Sequence, residues 1–302
     1  MKIIYVAKHQ SGGNDDEGAI GHALEQLGHE VIRIQERKGI KARNKEGDFL
    51  LFHKWEDIFA VGQSKLPKVF WYFDLVDFPD PTLAHRNNRR IQWMKEVTPL
   101  VDLGLCTDGD WVKQDTTGKL VHLTQGADER ITKVDGPSTC PLCRKEAAHI
   151  PLLFTGIQRG GVARQSFVKE MFDCYGTSFR HVIHGTHRED LADLLSSTAI
   201  VVAPDSPITN DYWSNRVYLT LGMGGFLLHP YCSQLADHYT DKKEIVFYHN
   251  REELHKLIRY YRGRLDEREK IQQAGYERTR REHTYKERCK KLIRLVQERV
   301  LC

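Results

Sequence analysis

KIIYVAKHQSGGNDDEGAIGHALEQLGHEVIRI, residues 2–34, decides the fold class. Residues 2–7 are a short apolar run that Lys8 closes, and Ser11-Gly12-Gly13 is a turn. Ala19, Ile20, Ala23, Leu24 and Leu27 then recur at helical spacing across residues 15–27. Gly28 follows at once, where a left-handed terminating residue costs glycine least, and residues 30–34 read as a second strand. Strand, glycine loop, helix and strand make one βαβ unit. Further strand-like runs at 49–52, 69–73, 103–107 and 120–124, with helical patterns at 55–61 and 83–97, keep up the alternation. Such alternation implies a parallel sheet covered on both faces.

Between residues 126 and 150 the alternation lapses into a polar stretch holding Gly136, Pro137, Pro141 and the pair Cys140-Pro-Leu-Cys143. A second series follows, with strands at 152–155, 181–184, 200–203, 226–229 and 245–248 and helices at 164–175, 188–197, 213–221 and 251–261. Thr186 with Glu189, Asn250 with Glu253, and Thr284 with Glu287 each set a capping side chain three residues before a carboxylate. The last pair opens a helix whose stripe is Tyr285, Cys289, Leu292, Ile293, Val296 and Val300. The expected organisation is an α/β domain over 1–135, a linker over 136–149, a second α/β domain over 150–283, and a terminal helix over 284–302. Two doubly wound domains place the loops at the carboxyl ends of both sheets on facing sides of a cleft, where such sheets bind ligands.

Composition agrees with this division. The 302 residues, at roughly 150 per domain, suit two domains, and 40% hydrophobic with 28% charged residues suit a folded soluble chain. The apolar runs are strand-sized, far below the roughly 20 residues of a membrane helix, and too short for a secretory signal. Seven scattered cysteines make no disulfide framework, so a cytoplasmic location is expected, that of the host cell if the gene is a phage's. A net charge of +4 does not decide between partners. The basic clusters at 85–90 and 278–281 read first as solvated helix faces.

Residues 214–248, SNRVYLTLGMGGFLLHPYCSQLADHYTDKKEIVFY, followed by Asn250-Arg-Glu-Glu-Leu and the stretch ending REHTY at 285, resemble a known family. They look like the carboxyl half of GT-B nucleotide-sugar glycosyltransferases, in the branch of CgeB-like and phage-encoded transferases; the first half fits only through its opening. The resemblance implies two Rossmann-like domains facing a cleft and a chain end that crosses back to the first domain. It also implies a nucleotide-diphosphate sugar as donor, a UDP-sugar in first place, and no catalytic metal. One departure matters. Members carry a ribose-binding glutamate at the position of Leu219, with a paired acidic position at Asp211. A leucine cannot accept a hydroxyl hydrogen bond, so either the donor is recognised otherwise or the chain is a non-catalytic binding module on the same scaffold.

The residues themselves point to phosphate binding. Gly156-Ile-Gln-Arg159-Gly-Gly-Val-Ala-Arg164 lies between a strand and a helix, where amides and guanidinium groups can meet a diphosphate. Asn215 and Arg216 begin another helix toward the same edge. Gly12, Gly13, His184, Gly185 and Asp211 complete the donor-binding candidates. For a base the first domain offers His9, directly after its first strand, and Asp74 after the aromatic strand; retaining chemistry would need none. Asp108-Gly-Asp110 reads as a metal clamp or as a helix cap. Cys140 and Cys143 can share a structural zinc, with His149 or the distant His122, or be buried thiols or a redox pair. The acceptor carries a hydroxyl. The phage branch suggests a hydroxymethylated base in DNA, with Trp71, Tyr72 or Trp111 supporting it out of the stack; polysaccharide, lipid and small-molecule acceptors stand beside it.

Overall fold

Both sheets are wholly parallel, and most of their strands are runs of sequence that are apolar on both faces, as burial beneath two helix layers requires. The computed structural model describes residues 1–9, 15–78, 84–133, 150–156, 161–182, 188–204 and 209–302. The chain divides into two compact units, one of Met1–Phe78, Ala84–Gly126 and Tyr285–Cys302, the other built on Ala127–Thr284.

The first unit runs β1 (Lys2–Ala7), α1 (Asp16–Gln26), β2 (Glu30–Gln35), β3 (Phe49–Phe52), α2 (Ile58–Val61), β4 (Lys68–Tyr72), α3 (Ala84–Val97), β5 (Leu103–Cys106), α4 (Gly109–Val112) and β6 (Leu120–His122). Its strand order is β2-β1-β3-β4-β5-β6. Central β3, Phe-Leu-Leu-Phe, is buried at every residue, while edge strand β2 buries only Ile34. Asp15 caps α1 by accepting from Gly18 N at 2.8 Å, and Gly28 at φ +84° follows its end. The aromatic strand is core. Trp71 and Tyr72 are buried in β4, and Trp71 Nε1 donates to Leu123 O at 3.1 Å. That corrects the expectation that these two rings support an extruded base.

The second unit runs β7 (Ile150–Thr155), α5 (Val162–Tyr175), β8 (Phe179–Val182), α6 (Arg188–Ser197), β9 (Thr198–Val202), α7 (Arg216–Gly222), β10 (Leu227–Pro230), α8 (Ser233–His238), β11 (Val246–Tyr248), α9 (Arg251–Arg262) and α10 (Leu265–Glu282). Its order is β11-β10-β9-β7-β8. Both orders reverse between the first and third strands, so each sheet has its ligand crevice beyond the carboxyl ends of that pair, β1 with β3 and β7 with β9. Asn250 caps α9 through Glu253 N at 2.9 Å, and Glu253 answers at His249 N, one residue before the amide that a capping box engages. Arg280 of α10 donates to the carbonyls of Asp128, Glu129 and Ile131, and Ala127 N donates to His283 O, so residues 127–131 pack within this unit.

The chain then returns to the first unit as α11 (Tyr285–Arg299). Tyr285, Cys289, Leu292, Ile293 and Val296 are buried in one cluster with Ile3, Tyr5 and Ala7 of β1 and with Ala19, Ile20, Ala23 and Leu24 of α1. The amphipathic stripe of α11 thus supplies one wall of this core.

Candidate active site

At the carboxyl end of β7 the backbone passes through Gly156 with φ +141°, a conformation that residues with side chains rarely adopt. Arg216 occupies the space a side chain would need: a Cβ at 156 would stand 2.5 Å from its Nη2. Arg216 opens α7, donates from Nε to Thr155 O at 2.6 Å and from Nη1 to Ser214 Oγ at 3.0 Å, and lies over the Phe154 ring at 5.0 Å. His181 stacks on the same ring and bonds Gly156 O at 2.8 Å. Since a carbonyl only accepts, His181 Nε2 carries the proton. The strand end is therefore held rigid beneath the guanidinium.

Burial first, then the positive charge of Arg164, pulls Arg216 down to about 10. Burial also lowers Arg164, in the first turn of α5. Two guanidinium groups held near each other at low exposure are stabilised when an anion joins them. A diphosphate has the charge for it. His229, near the end of β10, is buried and donates from Nδ1 to Pro230 O at 2.7 Å. Burial and then the Arg216 charge lower it to about 4, so it is neutral at pH 7. Leu219 packs against the apolar cluster of Val217, Tyr218 and Leu221. Asp211 is buried and acts on the Cys232 thiol beside α8, and Asn215 precedes α7, its carbonyl accepting from Leu219 N at 3.0 Å.

In the first unit, His9 follows β1. Its Nε2 donates to Tyr5 O at 3.3 Å and its backbone N to Gln35 Oε1 at 3.1 Å, which leaves the Nδ1 lone pair as acceptor. Burial lowers its pKa, so the ring is neutral at pH 7 and fit to take a proton. Below it, Tyr5 OH bonds His53 Nε2 at 2.8 Å and His53 Nδ1 donates to Trp71 O at 2.8 Å; burial holds His53 neutral, at about 3. Glu17, in the first turn of α1, is raised to about 7 by burial and by Asp16 and Asp15.

The structure brings Arg164 and Arg216 together, with Gly156 beneath, and does not join Asp74 to His9. Asp74 is exposed and pairs with Arg90 at 3.2 Å, because α3 runs beside the loop it sits on. Asp108 is a cap: Oδ1 accepts from Trp111 N at 3.0 Å and Oδ2 from Val76 N at 2.9 Å, while Asp110 pairs with Lys113. The metal-clamp reading of that pair is therefore set aside. Gly12, Gly13, Arg159, His184, Gly185, Cys140, Cys143 and His149 lie outside the described residues. Among the described residues no group of three or more His, Cys, Asp or Glu is placed to hold a metal ion, and no helix is long and apolar enough to cross a membrane. Sequence reasoning passed over His229, Glu17 and His53. The available signal for His229 was a histidine closing the otherwise apolar run Phe226-Leu-Leu228.

Residues 162–294 match the sequence model of a family described as glycosyl transferase-like. No curated protein matches the chain. Among solved structures, the sucrose-phosphate synthase of Thermosynechococcus elongatus superposes with a TM-score of 0.73 at 11% identity, covering 99% of each chain. HepE of Anabaena in complex with UDP-glucose gives 0.68 at 11% identity over 99% of this chain and 100% of that one. A glycosyltransferase of Rickettsia africae gives 0.63 at 12% over 98% of each. The fold is GT-B. In GT-B terms the second unit, with Arg216 and Arg164, is the carboxyl-terminal Rossmann-like domain, and the first unit with α11 is the amino-terminal one.

Proposed function

We propose that this GT-B protein is a glycosyltransferase that moves a sugar from a nucleotide-diphosphate donor to a hydroxyl acceptor. The observation that carries the reading is the guanidinium pair Arg216 and Arg164 over Gly156 at the carboxyl end of β7, since Arg164 and Arg216 fall within the stretch that matches the glycosyl transferase-like family. The donor is a UDP-sugar, by analogy with the UDP-glucose complex of HepE. In the reaction the bond from the anomeric carbon to the diphosphate oxygen breaks, the diphosphate leaves with the electron pair, and the acceptor oxygen bonds that carbon. Arg216 and Arg164 stabilise the charge that develops on the departing diphosphate. His9 Nδ1 receives the acceptor proton, a role for which its neutral ring suits it.

Within GT-B proteins we place the chain in the CgeB-like and phage-encoded branch, on the order of elements from Ser214 to Tyr285. A hydroxymethylated base in DNA is the finer proposal for the acceptor. Its support is α3, where His85, Arg86 and Arg89 are exposed; absence of any duplex binding at low ionic strength would remove it. The competing reading, a non-catalytic binding module, draws on Leu219, which packs against the apolar cluster of the second unit and offers no acceptor to a hydroxyl. Calorimetric titration with UDP and UDP-glucose, then an assay of UDP release with and without acceptor, separates these readings. Binding with turnover that His9→Gln abolishes supports the transferase, binding without turnover supports the module, and no binding of any nucleotide diphosphate rejects both.

A further inference from the structure

The strand that carries His229, β10, has no structural need of a histidine. Phe226, Leu227 and Leu228 before it are buried and apolar, and so are Val246, Phe247 and Tyr248 of the neighbouring β11, where Phe247 is its register partner. Alternation places His229 on the same face as Leu227, which packs with Val217 and Leu221 of α7. His229 therefore sits on the α7 side of the sheet at its carboxyl edge, and the Arg216 charge reaches it there.

Its chemistry is fixed by one hydrogen bond. Pro230 O only accepts, so the proton is on Nδ1 and Nε2 presents a lone pair. Among the described residues the structure shows no protein partner for Nε2, although the residue is only 7% exposed. Nε2 is not among the fully buried polar atoms that lack a partner, so water at this carboxyl edge can bond it, and a ligand there would take that water's place. A neutral imidazole lone pair repels phosphate oxygens and cannot serve an anion; it serves a hydrogen-bond donor. On a nucleotide sugar the groups of that kind near the diphosphate are hydroxyls, those of the ribose on one side and of the sugar on the other.

We propose that His229 is a donor-recognition residue, whose Nε2 accepts a hydrogen bond from a hydroxyl of the nucleotide sugar that Arg216 holds by its diphosphate. The proposal rests on the donor site argued above. It supplies the hydroxyl-accepting group that a leucine at 219 withholds, from a strand instead of from α7.

The test compares wild type, His229→Phe and His229→Gln by calorimetry with inorganic pyrophosphate, UDP, 2′-deoxy-UDP and UDP-glucose, circular dichroism confirming that each variant is folded. Losing one acceptor to a bound hydroxyl predicts about tenfold weaker binding in His229→Phe, with recovery toward wild type in His229→Gln, whose amide oxygen still accepts. A contact to the ribose 2′-hydroxyl weakens UDP while 2′-deoxy-UDP, weak already, is unchanged by the substitution; a contact to the 3′-hydroxyl weakens both. A sugar contact weakens UDP-glucose and leaves UDP unchanged. Pyrophosphate affinity stays at the wild-type value in every case. Equal weakening of all ligands, pyrophosphate included, would mean that His229 acts on phosphate and would overturn the proposal, as would unchanged binding of every ligand in both variants. Should His229→Phe not fold, His229→Leu takes its place with the same criteria. Wild type that binds these ligands while the variants match it for every one, UDP-glucose included, refutes the His229 contact alone; wild type that binds none of the four ligands refutes the donor site itself.

Discussion

Substituting alanine for Gly156 separates the shape of the proposed donor edge from its charge. The native φ of +141° at this residue is one that an alanine holds only at about 1–3 kcal/mol. The new methyl carbon would also lie 2.5 Å from Arg216 Nη2, inside van der Waals contact, so the guanidinium must withdraw from Thr155 O. Hydrogen bonds to charged groups are worth about 1.5–3 kcal/mol; the partly open edge lets water replace some of the loss and leaves about 1–2 kcal/mol, so the total with the strain is about 2–5 kcal/mol. In an Arg216→Ala background nothing needs to move and only the strain is left. The two substitutions should therefore couple by about 1–2 kcal/mol. Urea denaturation of the four proteins of this cycle measures the coupling, and titration with UDP should show affinity at least tenfold lower in Gly156→Ala. If Gly156→Ala destabilises both backgrounds equally, or binds UDP like wild type, the close approach of Arg216 to residue 156 is not what holds the site.

Leu292→Ala, in the fully buried stripe of α11, should destabilise the first unit by about 2–5 kcal/mol, read by urea denaturation; a loss under 1 kcal/mol would show that the stripe is not core. Asp108→Ala strands buried amide donors of two loops and should lose about 2–4 kcal/mol, whereas Asp110→Ala, an exposed pair, should change stability by about 0.5 kcal/mol or less; equal losses would restore a joint role for the two carboxylates. Glu17 keeps its proton to about pH 7 in the folded chain against 4.5 ordinarily. Its ionisation thus lowers stability progressively as pH rises from 4.5 to 7, and the penalty is constant above. Glu17→Gln should therefore gain on wild type between pH 5 and pH 8, by up to about 3 kcal/mol in denaturation midpoint analysis; a gap that does not change with pH refutes the buried carboxylate.

The fold class could be read from the sequence because parallel strands buried on both faces are continuous apolar runs, and helices between them repeat at 3.6 residues. Residues 188–197 illustrate this: the spacing of Leu191, Leu194 and Leu195 predicts the helix that α6 forms. The longest helix of the second unit escaped for the opposite reason. The inward face of α10 is Arg268, Ile271, Gly275 and Thr279, a helical spacing written in a guanidinium, one aliphatic side chain, a glycine and a hydroxyl. Gly275 is there because the Glu244 carbonyl lies against it, a reason invisible along the chain. Of the candidate site, the position of Arg164 and Arg216 beside the strand ends was legible, because a doubly wound sheet sends the loops that follow its strands to one edge. His229 was not, since only the fold tells which face of β10 it takes and that Pro230 O fixes its tautomer. Asp108 had two sequence readings, and the choice between them lay in the amide of Val76, 32 residues away.

The return of α11 to the first unit also sets an order of events during synthesis. β1 and α1 emerge first, yet the wall that covers Ile3, Tyr5, Ala19 and Leu24 is made of residues 285–296. More than a hundred residues of the second unit lie between them in the chain. Until those residues have been made, the nascent amino-terminal half exposes an apolar face that it cannot close by itself, while the second unit, whose described strands and helices all lie within residues 127–284, has its whole core in hand earlier. The half translated first is therefore the half that completes its core last, and it does so by closing a long loop.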